Sequence, residues 1–216
     1  MEQVIVAREC GADGVFLISH NGKDDEVLTA ALFAKSSSPD FAIGINLLSH
    51  SAMSACMEAK ELELSMVWAD QMGVDSQGLT EKGRMLSKFA LENPSVELFA
   101  SVAFKYQAIE RDPAGAARNA VMAGFTPTTS GDATGVAPAL QKVAKMMLSS
   151  SGRLALASGI TPTNVHDYAP LVGAVLVSTG ISQDEFRINP KKLLSLMDVV
   201  RNGRMKETVP AALGLV

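Results

Sequence analysis

Two short runs late in the chain have the residue types of an anion cradle. Ser158-Gly159 follows an apolar stretch at residues 153–157, and Ser178-Thr179-Gly180 follows another at 173–177. A glycine just past a buried strand lets backbone N–H groups approach a ligand closely, and neighbouring hydroxyls add donors. Phosphate is the anion that such a pair of turns suits. Between the two runs, Thr161, Pro162, Thr163 and Asn164 supply helix-start chemistry.

Residues of catalytic type stand where other apolar runs end. Lys105 follows FASVAF at 99–104, Asp70 follows the run at 64–69, and Asn46 lies near the end of the run at 41–47. A lysine leaving an apolar strand is a base or Schiff-base nucleophile when desolvated and an anion attractor when solvated. It is also a natural ion-pair partner for Asp70, and residue type alone leaves the three roles open. Asp70 is a general base, a metal ligand or only that counter-ion. Lys105, Asp70 and Asn46 form the expected catalytic group, with Ser158, Gly159, Ser178, Thr179 and Gly180 as the expected phosphate contacts. His20 and Asn21, beyond a run at 14–19, and Thr129, Ser130, Gly131 and Thr134, within TTSGDATG at 128–135, are the expected substrate contacts.

Other chemistries fit less well. His20, His50 and Asp70 include no pair at metal-ligand spacing, so no metal is expected, nor any other cofactor. GDATG lacks the ending of a nucleotide-binding P-loop, and Ser158 and Ser178 lack the G-x-S-x-G setting of a serine hydrolase. His166, in NVHDY, belongs to a solvated outer helix.

Positioning these residues requires strands that all end at one side. After a helix at residues 1–10, apolar runs at 14–19, 41–47, 64–69, 96–104, 124–129, 153–157 and 173–177 alternate with helical patterns at 24–35, 51–62, 113–122, 138–148 and 190–202. Residues 71–93 read as a polar loop followed by a helix, and Pro127 weakens the strand at 124–129. Continuous apolar strands alternating with helices imply a parallel sheet covered on both faces. The expected fold is therefore α/β, a (β/α)8 TIM barrel over residues 1–216 as a single domain, with its polar strand ends converging on one mouth. The chain opens in what should be the first helix, so the first strand of that barrel is missing, as in a truncated chain or a genuinely incomplete barrel.

Bulk properties narrow the partners. A net charge of −4 with no Lys/Arg-rich run gives no nucleic-acid footprint. No apolar run reaches the roughly 18–20 residues of a transmembrane segment, and residues 1–10 have no signal-peptide h-region. Cys10 and Cys56 read as two small buried hydrophobes in a cytoplasmic or other reducing compartment.

FKYQ at 104–107, TTSGDATG at 128–135, ASGITPTNV at 157–165 and VLVSTGIS at 175–182 resemble the BtpA/SgcQ-like barrel family, and GADGVFLISH at 11–20 resembles its second strand. The likeness spans roughly residues 5–200. In its last two loops that family is similar to phosphoribosylanthranilate isomerase and other phosphate-binding barrels. The resemblance implies a (β/α)8 barrel with a phosphate cradle at Ser158, Gly159, Thr179 and Gly180. The isomerase is expected to use a Cys after its first strand and an Asp after its fifth; here the first strand is absent and Lys105 holds the fifth position. The expectation is an enzyme acting on a phosphosugar or phosphoribosyl compound by lyase- or isomerase-type chemistry. The alternative is a non-catalytic barrel that binds a phosphometabolite or supports assembly of a larger complex. The expected partner is a phosphorylated small molecule, with room for a homo-oligomer.

Overall fold

The computed structural model describes residues 2–184 and 187–206, with side chains of the last helix up to residue 202. Met1, which the pattern includes in the first helix, lies outside them. The chain begins with α1 (Glu2–Glu9) and then alternates through β1 (Gly14–Ile18), α2 (Asp24–Ser37), β2 (Ala42–Asn46), α3 (Ala52–Glu61) and β3 (Met66–Ala69). A small hairpin of β4 (Val74–Asp75) and β5 (Gly78–Leu79) precedes α4 (Glu81–Glu92). Then follow β6 (Glu97–Ser101), α5 (Pro113–Met122), β7 (Thr126–Thr129), α6 (Leu140–Ser149), β8 (Ala155–Ala157), α7 (Val165–Tyr168), β9 (Ala174–Leu176) and α8 (Pro190–Lys206).

Seven strands form one sheet in the order β1-β2-β3-β6-β7-β8-β9, every pair parallel, with β1 and β9 as its edges. Sequential parallel strands with intervening helices are the architecture of a (β/α)8 barrel with one strand fewer. α1 and the turn after it are tied to the segment before α8 and to α8 itself. Ile188 donates its N–H to Gln3 Oε1 at 2.7 Å, and Arg201 Nη2 donates to the Gly11 carbonyl at 2.7 Å.

Alternation along the strands creates two layers. Ile43, Ile45, Val67, Leu98 and Ala100 are fully buried and share one core with the helix residues Ala31, Ala34, Cys56, Ala59, Ala116 and Ala120. Small helix residues let the helices lie close to the sheet, and each large aliphatic buried there contributes about 1.5–3 kcal/mol. On the other sheet face an aromatic cluster forms: Phe16 meets Trp68 and Phe99 edge-on, with ring centroids 5.9 and 5.1 Å apart, and Trp68 meets Phe104 at 5.8 Å. A Cβ at Gly44 would lie 2.6 Å from the Phe16 ring, so glycine makes room for that ring opposite it in the register.

Two local expectations change and a third, the strand containing Pro127, is met. The strand expected at 96–104 stops at Ser101, and the chain turns through Ala103 at a φ of +48°. The loop expected after residue 70 contains the β4–β5 hairpin, closed by Gln77 donating its N–H to Asp75 Oδ1 at 2.8 Å. Pro127 does sit within β7, but pairing with β8 begins only at Thr128, so its missing N–H removes no ladder bond on that side. Both cysteines are free and buried, and no helix among the described residues is long and apolar enough to cross a membrane.

Candidate functional site

The loops after β8 and β9 hold the expected phosphate contacts, and they are stacked backbone to backbone. Gly159 has a φ of +73°, and a Cβ there would collide with the backbone of Val136 and Ala137 in the loop after β7. A Cβ at Gly180 would collide with the Ile160 carbonyl. These glycines thus permit three neighbouring loops to close on one another. Ser158, at a φ of +77°, donates its hydroxyl to the Ala133 carbonyl at 3.3 Å and accepts from the Gly135 N–H at 3.1 Å. Asn164 caps the turn by accepting the Thr161 N–H at 2.8 Å and donating to the Gly159 carbonyl at 2.9 Å. Ser178 and Thr179 remain exposed.

The loop after β6 is bound to the same stack. Lys105 is not at the strand end; it lies four residues past Ser101, between two left-handed residues, Ala103 and Tyr106. Its Nζ donates to Thr134 Oγ1 at 3.1 Å, and its N–H donates to Ser130 Oγ at 2.8 Å. Among the described residues no ion pair joins Lys105 to Asp70. Thr129 and Ser130 are fully buried, their hydroxyls donating to the carbonyls of Ala103 and Gly131. Lys142, which the sequence reading passes over, ties both loops: its Nζ donates to the carbonyls of Ala103 at 2.6 Å and Ser130 at 2.8 Å. Burial lowers the Lys142 pKa, with Asp132 opposing. A lysine in a helix's first turn opposes the helix dipole, which was the available signal that it is held for another reason.

A second arrangement occupies the loops after β2 and β3. A cavity of about 240 Å³ is lined by Asn46, Leu47, Leu48, His50, Ala52, Ala69, Asp70, Gln71 and Lys82. Asn46 and Asp70, expected together, therefore share one void, while Lys105 does not line it. Asn46 is only 3% exposed, yet its amide makes no hydrogen bond among the described residues. Side-chain polar atoms shut off completely from solvent all have partners among those residues, so the free amide is the part of Asn46 open to the void. Open to the void, that amide is placed for a water or a ligand group to complete it there. Ser101 Oγ accepts from Trp68 Nε1 at 2.9 Å and makes a long 3.5 Å contact to Asp70 Oδ1, so the aromatic cluster leads directly to the cavity wall. Gln107 Nε2 donates to the Asp70 carbonyl at 2.6 Å, joining the Lys105 loop to the same wall. The remaining expected contacts lie outside: His20 and Asn21 are exposed after β1, and Asn21 accepts from the Ser19 hydroxyl.

Beside the cavity sits a residue that sequence reasoning missed. Asp24, 2% exposed at the start of α2, accepts the N–H groups of Leu48 at 3.3 Å and Ser49 at 2.7 Å, the Ser49 hydroxyl at 2.6 Å and His50 Nδ1 at 3.1 Å. Burial pushes its carboxyl upward, but the hydrogen bonds outweigh that and hold its pKa down at about 2. Acidic residues in a first helical turn are ordinary, so Asp24 carried no signal of its partner 26 residues away.

No family model matches the chain, and no curated protein matches it in sequence. Solved structures do resemble it. Phosphoribosyl anthranilate isomerase from Thermotoga maritima superimposes with a TM-score of 0.69 at 16% identity, covering 93% of this chain and 94% of that one. The isomerase from Thermus thermophilus gives 0.67 at 14% identity, with 93% and 94% covered. Thiamine phosphate pyrophosphorylase from Pyrococcus furiosus gives 0.66 at 15%, with 94% and 89% covered. The chain shares the fold of these barrels. At such identities the likeness concerns architecture, and function has to be argued from the site.

Proposed function

We propose that this protein is an enzyme acting on a phosphorylated small molecule, a phosphosugar or phosphoribosyl compound, by lyase- or isomerase-type chemistry. The observation that carries the reading is the amide of Asn46, which bonds no described residue and opens onto a cavity that also holds Asp70 and Lys82. Such a void supplies a donor and a carboxylate at strand ends, where barrels of this architecture bind their ligands, and a cation from the first turn of α4. The similar structures include proteins whose names specify phosphorylated compounds, and the loop motifs resemble the BtpA/SgcQ-like family. In this reading Ser158, Gly159, Ser178, Thr179 and Gly180 hold the phosphate, and exposed Lys105 Nζ and Thr134 add charge and a hydroxyl beside it. Asn46 and Asp70 polarise the reacting carbonyl and move its proton.

Thermal unfolding with inorganic phosphate and phosphosugars tests the reading. At tenfold excess over Kd a bound ligand adds about 1.4 kcal/mol, a rise of about 3–6 °C for a chain of this length. No rise at millimolar concentration contradicts it.

A further inference from the structure

We infer that His50 is the proton-transfer base of this site, with Asp24 as the residue that positions it, and that the reacting end of the ligand is an α-hydroxy carbonyl. The inference rests on the phosphorylated-ligand reading and extends it from anchoring to chemistry. Its basis is geometric. The ionised Asp24 carboxylate only accepts hydrogen bonds, so the proton in its 3.1 Å contact to His50 belongs to Nδ1. A neutral imidazole protonated at Nδ1 carries its free lone pair on Nε2. Nε2 has no partner among the described residues, and His50 lines the cavity with Asn46, Asp70 and Lys82. Ser49 reinforces the arrangement, since its N–H and hydroxyl both donate to Asp24. Ser49 Oγ also lies 3.5 Å from His50 Nδ1, but its hydroxyl donates to the same Asp24 oxygen and a protonated Nδ1 cannot accept from it, so Ser49 is not a nucleophile activated by His50.

The set matches the needs of proton transfer next to a carbonyl: a base, a carboxylate and two donors for a developing oxyanion. Nε2 takes the proton from the carbon α to the carbonyl, and the C–H electron pair becomes the carbon–carbon double bond of an enediolate. The negative charge moves to the carbonyl oxygen, within the field of Lys82 and the Asn46 amide. Asp70 carries the hydroxyl proton from one oxygen to the other, and the His50 imidazolium returns its proton to the neighbouring carbon. Protons and electron pairs balance, and no oxidant or second substrate is needed.

The positioning claim is read without any ligand, by long-range ¹H–¹⁵N spectra of the intact protein above the histidine titration range. His50 is expected as the Nδ1–H tautomer, and Asp24→Asn should shift it toward Nε2–H. An Nε2–H tautomer in the unaltered protein would overturn the inference. The chemical claim is read in D2O with dihydroxyacetone phosphate and ribulose 5-phosphate as probes. The protein should exchange the carbon-bound α proton for deuterium, and His50→Gln should slow that exchange by ~10²–10⁴-fold while keeping the phosphate-induced thermal shift. Exchange that persists in His50→Gln, or no exchange by a protein that still binds phosphate, defeats the role of His50 and leaves the phosphate reading standing. Absence of the phosphate shift defeats that reading instead, and the tautomer spectrum still decides whether the dyad exists.

Discussion

The loops after β8 and β9 and the loops after β2 and β3 stand at the same end of the sheet, yet they are built differently. The first set is joined backbone to backbone, through Gly159 against Val136 and Ala137 and Gly180 against Ile160. The second set is joined through side chains, Asp24 gathering Leu48, Ser49 and His50 around a void. Backbone stacking fixes a rigid rim whose N–H groups suit a part of the ligand that does not change. Side-chain assembly holds Asp24 ionised and His50 in one orientation, which suits the part that reacts. In the proposed function, holding falls to one side of the mouth and chemistry to the other.

The largest effect should come from Gly159→Ala, which adds a Cβ both at a left-handed φ and into neighbouring backbone. Unfolding should show a loss of roughly 2–4 kcal/mol, and an unchanged Tm would break the stacked-rim half of the comparison. Next is Asp24. Its folded pKa of about 2 lies below the unfolded value near 3.9, so its contribution is present above about pH 4 and is lost as pH falls toward 2. Urea titrations across that window should lose about 2 kcal/mol in the unaltered protein, and Asp24→Asn should flatten this acid limb. Lys142→Met removes two donors from the carbonyls of Ala103 and Ser130 and should cost about 1–2 kcal/mol, sharpening how far the rim depends on one staple. The smallest effect on stability comes at Asn46. Asn46→Leu removes an amide that bonds no described residue and should leave stability within about 0.5 kcal/mol while reducing turnover, the signature of a residue kept for function.

Much of the frame is legible in the order of the residues. The alternating apolar runs place nearly every strand and helix, because burial on both faces of a parallel sheet writes itself as continuous hydrophobicity. Asn46 and Asp70 were recognisable because each ends such a run. Lys105 was misplaced by the same rule: FASVAF stays apolar past Ser101, and nothing in an alanine announces the left-handed turn at Ala103. Asp24 and Lys142 were invisible for another reason. Their roles depend on partners in other loops, Ser49 and His50 for one and Ala103 and Ser130 for the other, and only the fold brings these within hydrogen-bond distance.

The division of the mouth is tested most directly by amide chemical shifts during a titration with inorganic phosphate. Saturable shifts at Gly159, Thr179 and Gly180, with the cavity residues Asn46 and His50 little changed, are the predicted result. Shifts confined to the cavity, or none at the three rim amides, would contradict it.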